Sequence, residues 1–160
     1  MNVRRSIAAA AVALAVPVLS SCGVNFGAQT DQVYNPSVGV DDRSGTVDVL
    51  NVVIVSGSEG SGTVVATLVN NDQVEDDTIS DVAGAGADAE AEVTLAGETS
   101  VPADGLLNLA EDGKIEITGD RVRPGNFVEI TFSFDRGAAV SLDVPVVSAD
   151  NPDYADVQVP

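Results

Sequence analysis

The chain has no histidine and no tryptophan, and its only methionine is Met1. Without histidine it cannot assemble a Ser/His/Asp or Cys/His catalytic set. Its only lysine, Lys114, is not preceded by the Ser-x-x-Lys spacing of serine–lysine enzymes. Paired carboxylates of the glycosidase type stay open because there are 25 acidic residues, but no tryptophan offers the usual sugar platform. We therefore predict that the protein is not an enzyme and carries no cofactor.

Cysteine is also scarce, since Cys22 is the only one in the chain. An intramolecular disulfide is therefore excluded, and the folded chain must be held together by its core. The 160 residues are 44% hydrophobic but only 4% aromatic, which predicts one domain with a core of valine, leucine and alanine.

Positive charge is also scarce, because the chain has seven basic and 25 acidic residues and its formal charge is −18. Such a surface repels nucleic acid and anionic lipid headgroups, so we expect no nucleic-acid partner. The simplest role of the acidity is to keep an exported protein soluble. Binding of a divalent cation or a basic partner is the alternative.

The first 22 residues have the features of a lipoprotein leader. A cationic start with Arg4 and Arg5 precedes an apolar run that Pro17 interrupts, which predicts a signal peptide over residues 1–21. The run ends in Leu-Ser-Ser-Cys at 19–22, which resembles the bacterial lipobox. This resemblance implies cleavage before Cys22, a diacylglycerol thioether on its sulfur and often an acylated amino terminus. We expect a protein anchored by lipid to the extracytoplasmic face of the cell membrane; an ordinary secreted protein is the alternative.

Beyond the leader, residues 22–42 lack any sustained periodicity, which predicts a lipidated cysteine followed by a flexible tether. Residues 43–150 alternate short apolar runs with turn residues, and 151–160 form a polar tail. The predicted strands are 46–55, 63–69, 78–82, 93–95, 106–109, 114–118 and the two arms of a hairpin within 126–147. The fold class is all-β, a Greek-key β-sandwich of the immunoglobulin or cupredoxin type with about seven to eight strands.

Three features of this pattern give specific expectations. The valines of 46–55 occupy both faces, which predicts a strand that is buried on two sides. The segment 83–91 contains Gly84 and Gly86, which favours a loop over a helix. Pro145 lacks a backbone N–H, so we expect the last strand to lie at an edge or to carry a bulge.

Three sequence stretches together resemble the periplasmic copper chaperone family called PCu(A)C. The first is GTVVATLVNNDQVEDDTI at 62–79, with Asn70 and Asp77 in matching places and Ile79 for the family's leucine. The second is VPADGLLNL at 101–109, followed by Asp112 and Gly113. The third is RPGNFVEITFSFDRGAAVSLDVPV at 123–146. The resemblance covers about 49–147 and implies a small cupredoxin-like sandwich.

Family members hold Cu(I) with histidine imidazoles and methionine thioethers, which are soft ligands suited to that ion. Matching VTLAG at 93–97 and KIEITG at 114–119 to the family's ligand motifs places Ala96, Lys114 and Glu116 at the ligand positions. The resemblance therefore implies a degenerate member that has lost its copper site. We expect no bound metal or copper, and a non-catalytic binding or accessory module that engages a protein or peptide.

The acidic loops leave one alternative function open. Oxygen ligands cluster at Asp41–Asp42, at residues 75–77 and at residues 111–113, where Ca²⁺ would find carboxylates. None of these clusters follows the EF-hand spacing, so solvated loop charge is the preferred interpretation. The alternative is a calcium-stabilised or purely structural lipoprotein of the cell envelope.

Overall fold

The computed structural model describes residues 38–160. The predicted signal peptide, Cys22 and most of the predicted tether therefore lie outside the described residues. Ten strands follow one another in this part of the chain: β1 Val40–Asp42, β2 Val47–Ser58, β3 Ser61–Asn70, β4 Asp77–Gly84, β5 Glu92–Gly97, β6 Ser100–Val101, β7 Leu106–Asn108, β8 Gly113–Thr118, β9 Phe127–Phe134 and β10 Val140–Ser148.

The ten strands form one curled mixed sheet with the order β5-β8-β3-β2-β10-β9-β4-β6. β1 pairs with β2, and β7 pairs with β3, beside this main path. All neighbouring strands are antiparallel except β10 and β2, which run parallel. The prediction of an all-β fold is confirmed.

The β9–β10 hairpin shows how sequence period becomes a core. Alternate residues of β9 are buried, and each lies opposite or beside apolar residues of β10, as in the pair of Phe132 with Val140. Because alternate side chains of a strand point to opposite faces, this places one apolar face inward. The buried cluster is completed from the other strands and includes Val49, Ile54, Leu68, Ile79, Leu109, Ile115, Ile117, Ile130, Phe132 and Val144.

β2 is buried on both faces, as its valines predicted. Val52, Val53, Ile54 and Val55 are all 0% exposed. Val52 and Ile54 belong to the main core cluster, whereas Val53 and Val55 alternate with them and point to the opposite face of the sheet.

Two short strands escaped prediction, so the sheet has ten strands where we predicted seven to eight. β1 pairs through Val40 with Val52 of β2, and it occupies the last three residues of the range predicted as a tether. β6 has only two residues, which pair with Asp77 and Thr78 of β4. Segments this short carry too few residues for a period to be recognised.

The prediction that Pro145 requires an edge strand is wrong, and the bulge that was its alternative lies in the partner, where Gly125 and Asn126 both bond to Val146. β10 lies between β9 and β2, and its pairing with β9 is regular from Val140 to Pro145. Pairing with β2 begins only at the next residue, where Val146 lies opposite Ile54. Proline is tolerated here because Val146, the next residue, donates its N–H to Asn126 beside β9; the N–H that Pro145 lacks would therefore point to the other side, ahead of the pairing with β2.

The segment 83–91 and the tail hold no α-helix, and each contains a single 3-10 turn. In the first segment the turn spans Gly86–Asp88, after β4 has ended at Gly84, so the preference for a loop is confirmed. The second turn spans Pro152–Tyr154, and Asn151 begins it by accepting a hydrogen bond from the backbone N–H of Asp153. Nowhere between residues 38 and 160 is there a helix long and apolar enough to cross a membrane.

Candidate functional site

The three positions that the sequence resemblance assigned to copper ligands lie together on neighbouring strands. Ala96 of β5 pairs directly with Lys114 of β8, and Glu116 follows two residues later on β8. Ile115 and Ile117, which alternate with them, belong to the buried core. The side chains at 96, 114 and 116 therefore share the outer face of this part of the sheet.

Lys114 and Glu116 form an ion pair. The Nζ of Lys114 lies 2.7 Å from the Oε1 of Glu116, and the two side chains are 44% and 37% exposed. An exposed pair of this kind contributes about 0–1 kcal/mol. The side chains at 96, 114 and 116 provide a methyl group, an ammonium and a hard carboxylate. Cu(I) prefers softer ligands than these. None of these three side chains is a soft ligand.

Asn70, which matched the family's asparagine, is a buried structural residue. Its Nδ2 donates to the carbonyl oxygens of Glu75 and Val101, at 2.9 and 3.1 Å. Its Oδ1 accepts from the backbone N–H of Asp72 at 2.9 Å. With only 1% of its surface exposed, Asn70 holds the loop after β3 against β6.

Asp77, the second matched residue, joins the start of β4 to the β9–β10 turn. Its Oδ1 accepts from the backbone N–H groups of Thr78 and Arg136, at 2.8 and 3.1 Å. Its Oδ2 is buried and accepts no hydrogen bond from the residues that the structure describes. Like Asn70, Asp77 organises loops and presents no reactive group to solvent.

Carboxylates in the acidic loop at residues 72–77 accept hydrogen bonds from backbone N–H groups or pair with arginine. Asp72 accepts from the N–H groups of Val74 and Glu75, and these hydrogen bonds lower its pKa from the usual 3.8. Arg136 pairs with Asp72 and Glu75 and donates to the carbonyl of Asp76. The Oδ1 of Asp76 in turn accepts from the N–H of Ala103.

The acidic clusters at Asp41–Asp42 and at residues 111–113 do not form a cation-binding site either. The hydroxyl and the N–H of Ser44 lower the pKa of Asp42, while Arg43 pairs with Asp41 and Asp48. Within residues 38–160, no three Asp, Glu, His or Cys side chains converge in a way that would hold a metal ion.

Sequence reasoning missed two concave features. One is a cleft of about 490 Å³ beside the 3-10 turn at Gly86–Asp88, where the buried Asp88 accepts from the N–H of Glu129 and lies 3.6 Å from Arg121. The other is a cavity of about 260 Å³, lined by Lys114 and Leu109 together with Asp156, Val157 and Gln158 from the C-terminal end. Neither shows in the sequence, because residues distant along the chain form each of them.

No protein-family model and no curated protein matches this chain in sequence. Solved structures do match its fold. The apo PCuAC domain from PmoF1 has a TM-score of 0.57 at 15% identity, covering 68% of this chain and 99% of that chain. The copper-bound PCuAC domain from PmoF2 gives 0.56 at 16%, covering 68% and 98%. The apo PmoF2 PCuAC domain gives 0.54 at 18%, covering 69% and 97%.

The described part of the chain is a small all-β domain with a cupredoxin-like fold. Within that class, the described part of the chain has the fold of PCuAC domains, which confirms the fold that the sequence resemblance implied. At 15–18% identity the likeness concerns the fold alone.

Proposed function

We propose that this chain is an extracytoplasmic lipoprotein whose PCuAC-like domain is a non-catalytic binding or accessory module without a copper site. The leader ending in Cys22 supports the anchor, because a lipobox-like cysteine after an apolar run is a lipidation motif. The fold supports a copper-chaperone-like domain. The anchor confines the domain to the membrane surface, where a protein or peptide partner would be met.

One observation carries the proposed loss of copper binding. The face at which Ala96, Lys114 and Glu116 meet carries a salt bridge in place of soft ligands. A cation at Lys114 repels a metal ion, and the carboxylate of Glu116 is already engaged by that cation. With no histidine and no methionine besides Met1, a shift of register by a residue or two would not supply a ligand.

A competition assay against a chromophoric Cu(I) chelator tests this proposal. The domain should leave the chelator–copper complex intact, and the PCuAC domain from PmoF2, which has been solved with copper, is measured beside it for comparison. Weak adsorption of Cu(II) to surface carboxylates is compatible with the proposal. Stoichiometric removal of Cu(I) from the chelator by this domain would contradict it.

A further inference from the structure

Residues near the C-terminus lie over the outer face of β2 and β3 at two places, Gly57 and Thr63. Val53 and Val55 are fully buried although they point away from the main core. Thr63 pairs with Val55 and shares its face, and it is only 4% exposed. This side of the sheet therefore carries an apolar strip that is shielded from water.

Within the C-terminal segment, residues 151–160, the residues 157–159 contact this face at the end marked by Gly57 and Thr63. The hydroxyl of Thr63 donates to the carbonyl oxygen of Gln158 at 2.7 Å. Val159 lies against Gly57, so closely that a Cβ added to Gly57 would be 2.6 Å from its Cγ2. Val157 lines the cavity beside Lys114. The segment thus crosses β2, β3 and β8, and we call the strip marked by Gly57, Thr63 and Lys114 the outer groove.

The segment is held by side-chain fit more than by hydrogen bonds. The structure gives residues 155–160 one hydrogen bond to the sheet, the bond from Thr63. No strand pairing joins these residues to the sheet, which ends at Ser148. Another peptide could displace a segment that docks in this way, because the segment loses only one hydrogen bond to the sheet when it leaves the groove.

Charge makes the segment an imperfect occupant of the outer groove. Asp156 lines the same cavity as Glu111 and Asp112. The one cation there, Lys114, is already paired with Glu116. All three carboxylates are exposed, so they repel one another only weakly, and a basic side chain at the place of Asp156 would instead be attracted by Glu111 and Asp112.

From this arrangement we infer that the outer groove is a peptide-binding site, which the C-terminal segment occupies until a partner displaces it. The partner is an extended protein segment with branched apolar residues at the positions of Val157 and Val159 and a basic residue at the position of Asp156. This inference deepens the proposed binding function and rests on it. The covalent link gives the segment a millimolar effective concentration, so it outcompetes weak ligands.

Val159→Asp in the full-length protein, purified in detergent, releases the segment without altering the groove. Two fluorescent peptides are the probes, one with the sequence of residues 151–160 and one with lysine in place of Asp156. Val74→Asp is the matched control, because Val74 is 83% exposed and the same charge is added. Backbone order parameters of residues 155–159, measured by ¹⁵N relaxation, report whether the segment has been released, because they fall when a docked segment becomes mobile.

The Val159→Asp protein should bind both peptides at least tenfold more tightly than the wild type or the Val74→Asp control does. The lysine peptide should bind more tightly than the native one, and its advantage should shrink as salt is added. Adding Gly57→Ala should abolish binding, since the new methyl group occupies the place of Val159 and meets no other atom closer than about 4 Å. Val159→Ala is the milder second variant, and it should give the same order of affinities.

Release of residues 155–160 without peptide binding would overturn the inference, and so would order parameters that stay unchanged in both variants. A dimer formed by Val159→Asp that exchanges its C-terminal segments, with no affinity for either peptide, would also overturn it. Each of these failures leaves the proposed lipoprotein module standing, because anchoring and copper binding are measured separately.

Discussion

Replacing Asn70 with alanine should destabilise the domain far more than replacing its neighbour Asn71. The Asn70 side chain is 1% exposed and makes three hydrogen bonds to backbone groups. Asn71 is exposed, and its Nδ2 makes one hydrogen bond of 3.0 Å to Asp48. The two substitutions remove the same atoms from adjacent positions, so their difference isolates the effect of burial.

The magnitude follows from the partners that Asn70→Ala would leave behind. The bond to the carbonyl of Val101 is buried, and losing it costs about 1–3 kcal/mol because a buried acceptor loses its donor. The bonds to Glu75 and Asp72 are partly buried and contribute about 0.5–1 kcal/mol each. Together these give a loss of about 3 kcal/mol, whereas Asn71→Ala should cost at most about 0.5 kcal/mol.

Urea denaturation of the two variants, followed by circular dichroism, measures this difference. For a domain of this size, about 3 kcal/mol corresponds to a melting temperature that is lower by roughly 12 °C. An equal slope of the unfolding free energy with urea would show that the native contacts, and not the unfolded state, have changed. Equal stabilities of the two variants would refute the reasoning, because the three hydrogen bonds of the buried Asn70 side chain would then contribute nothing.

Two further predictions concern other parts of the chain. Cys22→Ala should move the protein from the detergent phase to the medium or leave the uncleaved precursor at the membrane, as phase partition and mass measurement would show; an unchanged mature mass and partition would contradict lipidation. Asp72→Ala should lower stability at neutral pH, and the difference from wild type should vanish on acidification. The pKa of Asp72 is lowered from 3.8 by the N–H groups of Val74 and Glu75, so its stabilising effect is complete above pH 3.8 and is lost as the pH falls through the folded-state pKa. Urea titrations between pH 7 and pH 2 check this, and a difference that persists at the lowest pH would argue against the carboxylate.

Several features of this protein were determined by the sequence alone, because they depend on local pattern. The period of two in β9 and β10 set the register of the hairpin, since a slip of one residue would turn Phe132 and Val144 to solvent. Valines on both faces of β2 predicted its double burial. The absence of histidine was enough to exclude the usual soft imidazole ligands. Even the order of the weak family motifs was enough to anticipate the fold.

Tertiary structure decided what depends on contacts between distant residues. Pro145 was misjudged because no local pattern shows that its missing N–H faces the side on which β2 pairs only from Val146 onward. The short strand β1 forms only because β2 offers it an edge to pair with. The tail looked like solvated chain, yet Thr63 holds Gln158 across 95 positions of the sequence. Such contacts arise from the packing of one element on another, and neither residue carries information about its partner in its own neighbourhood.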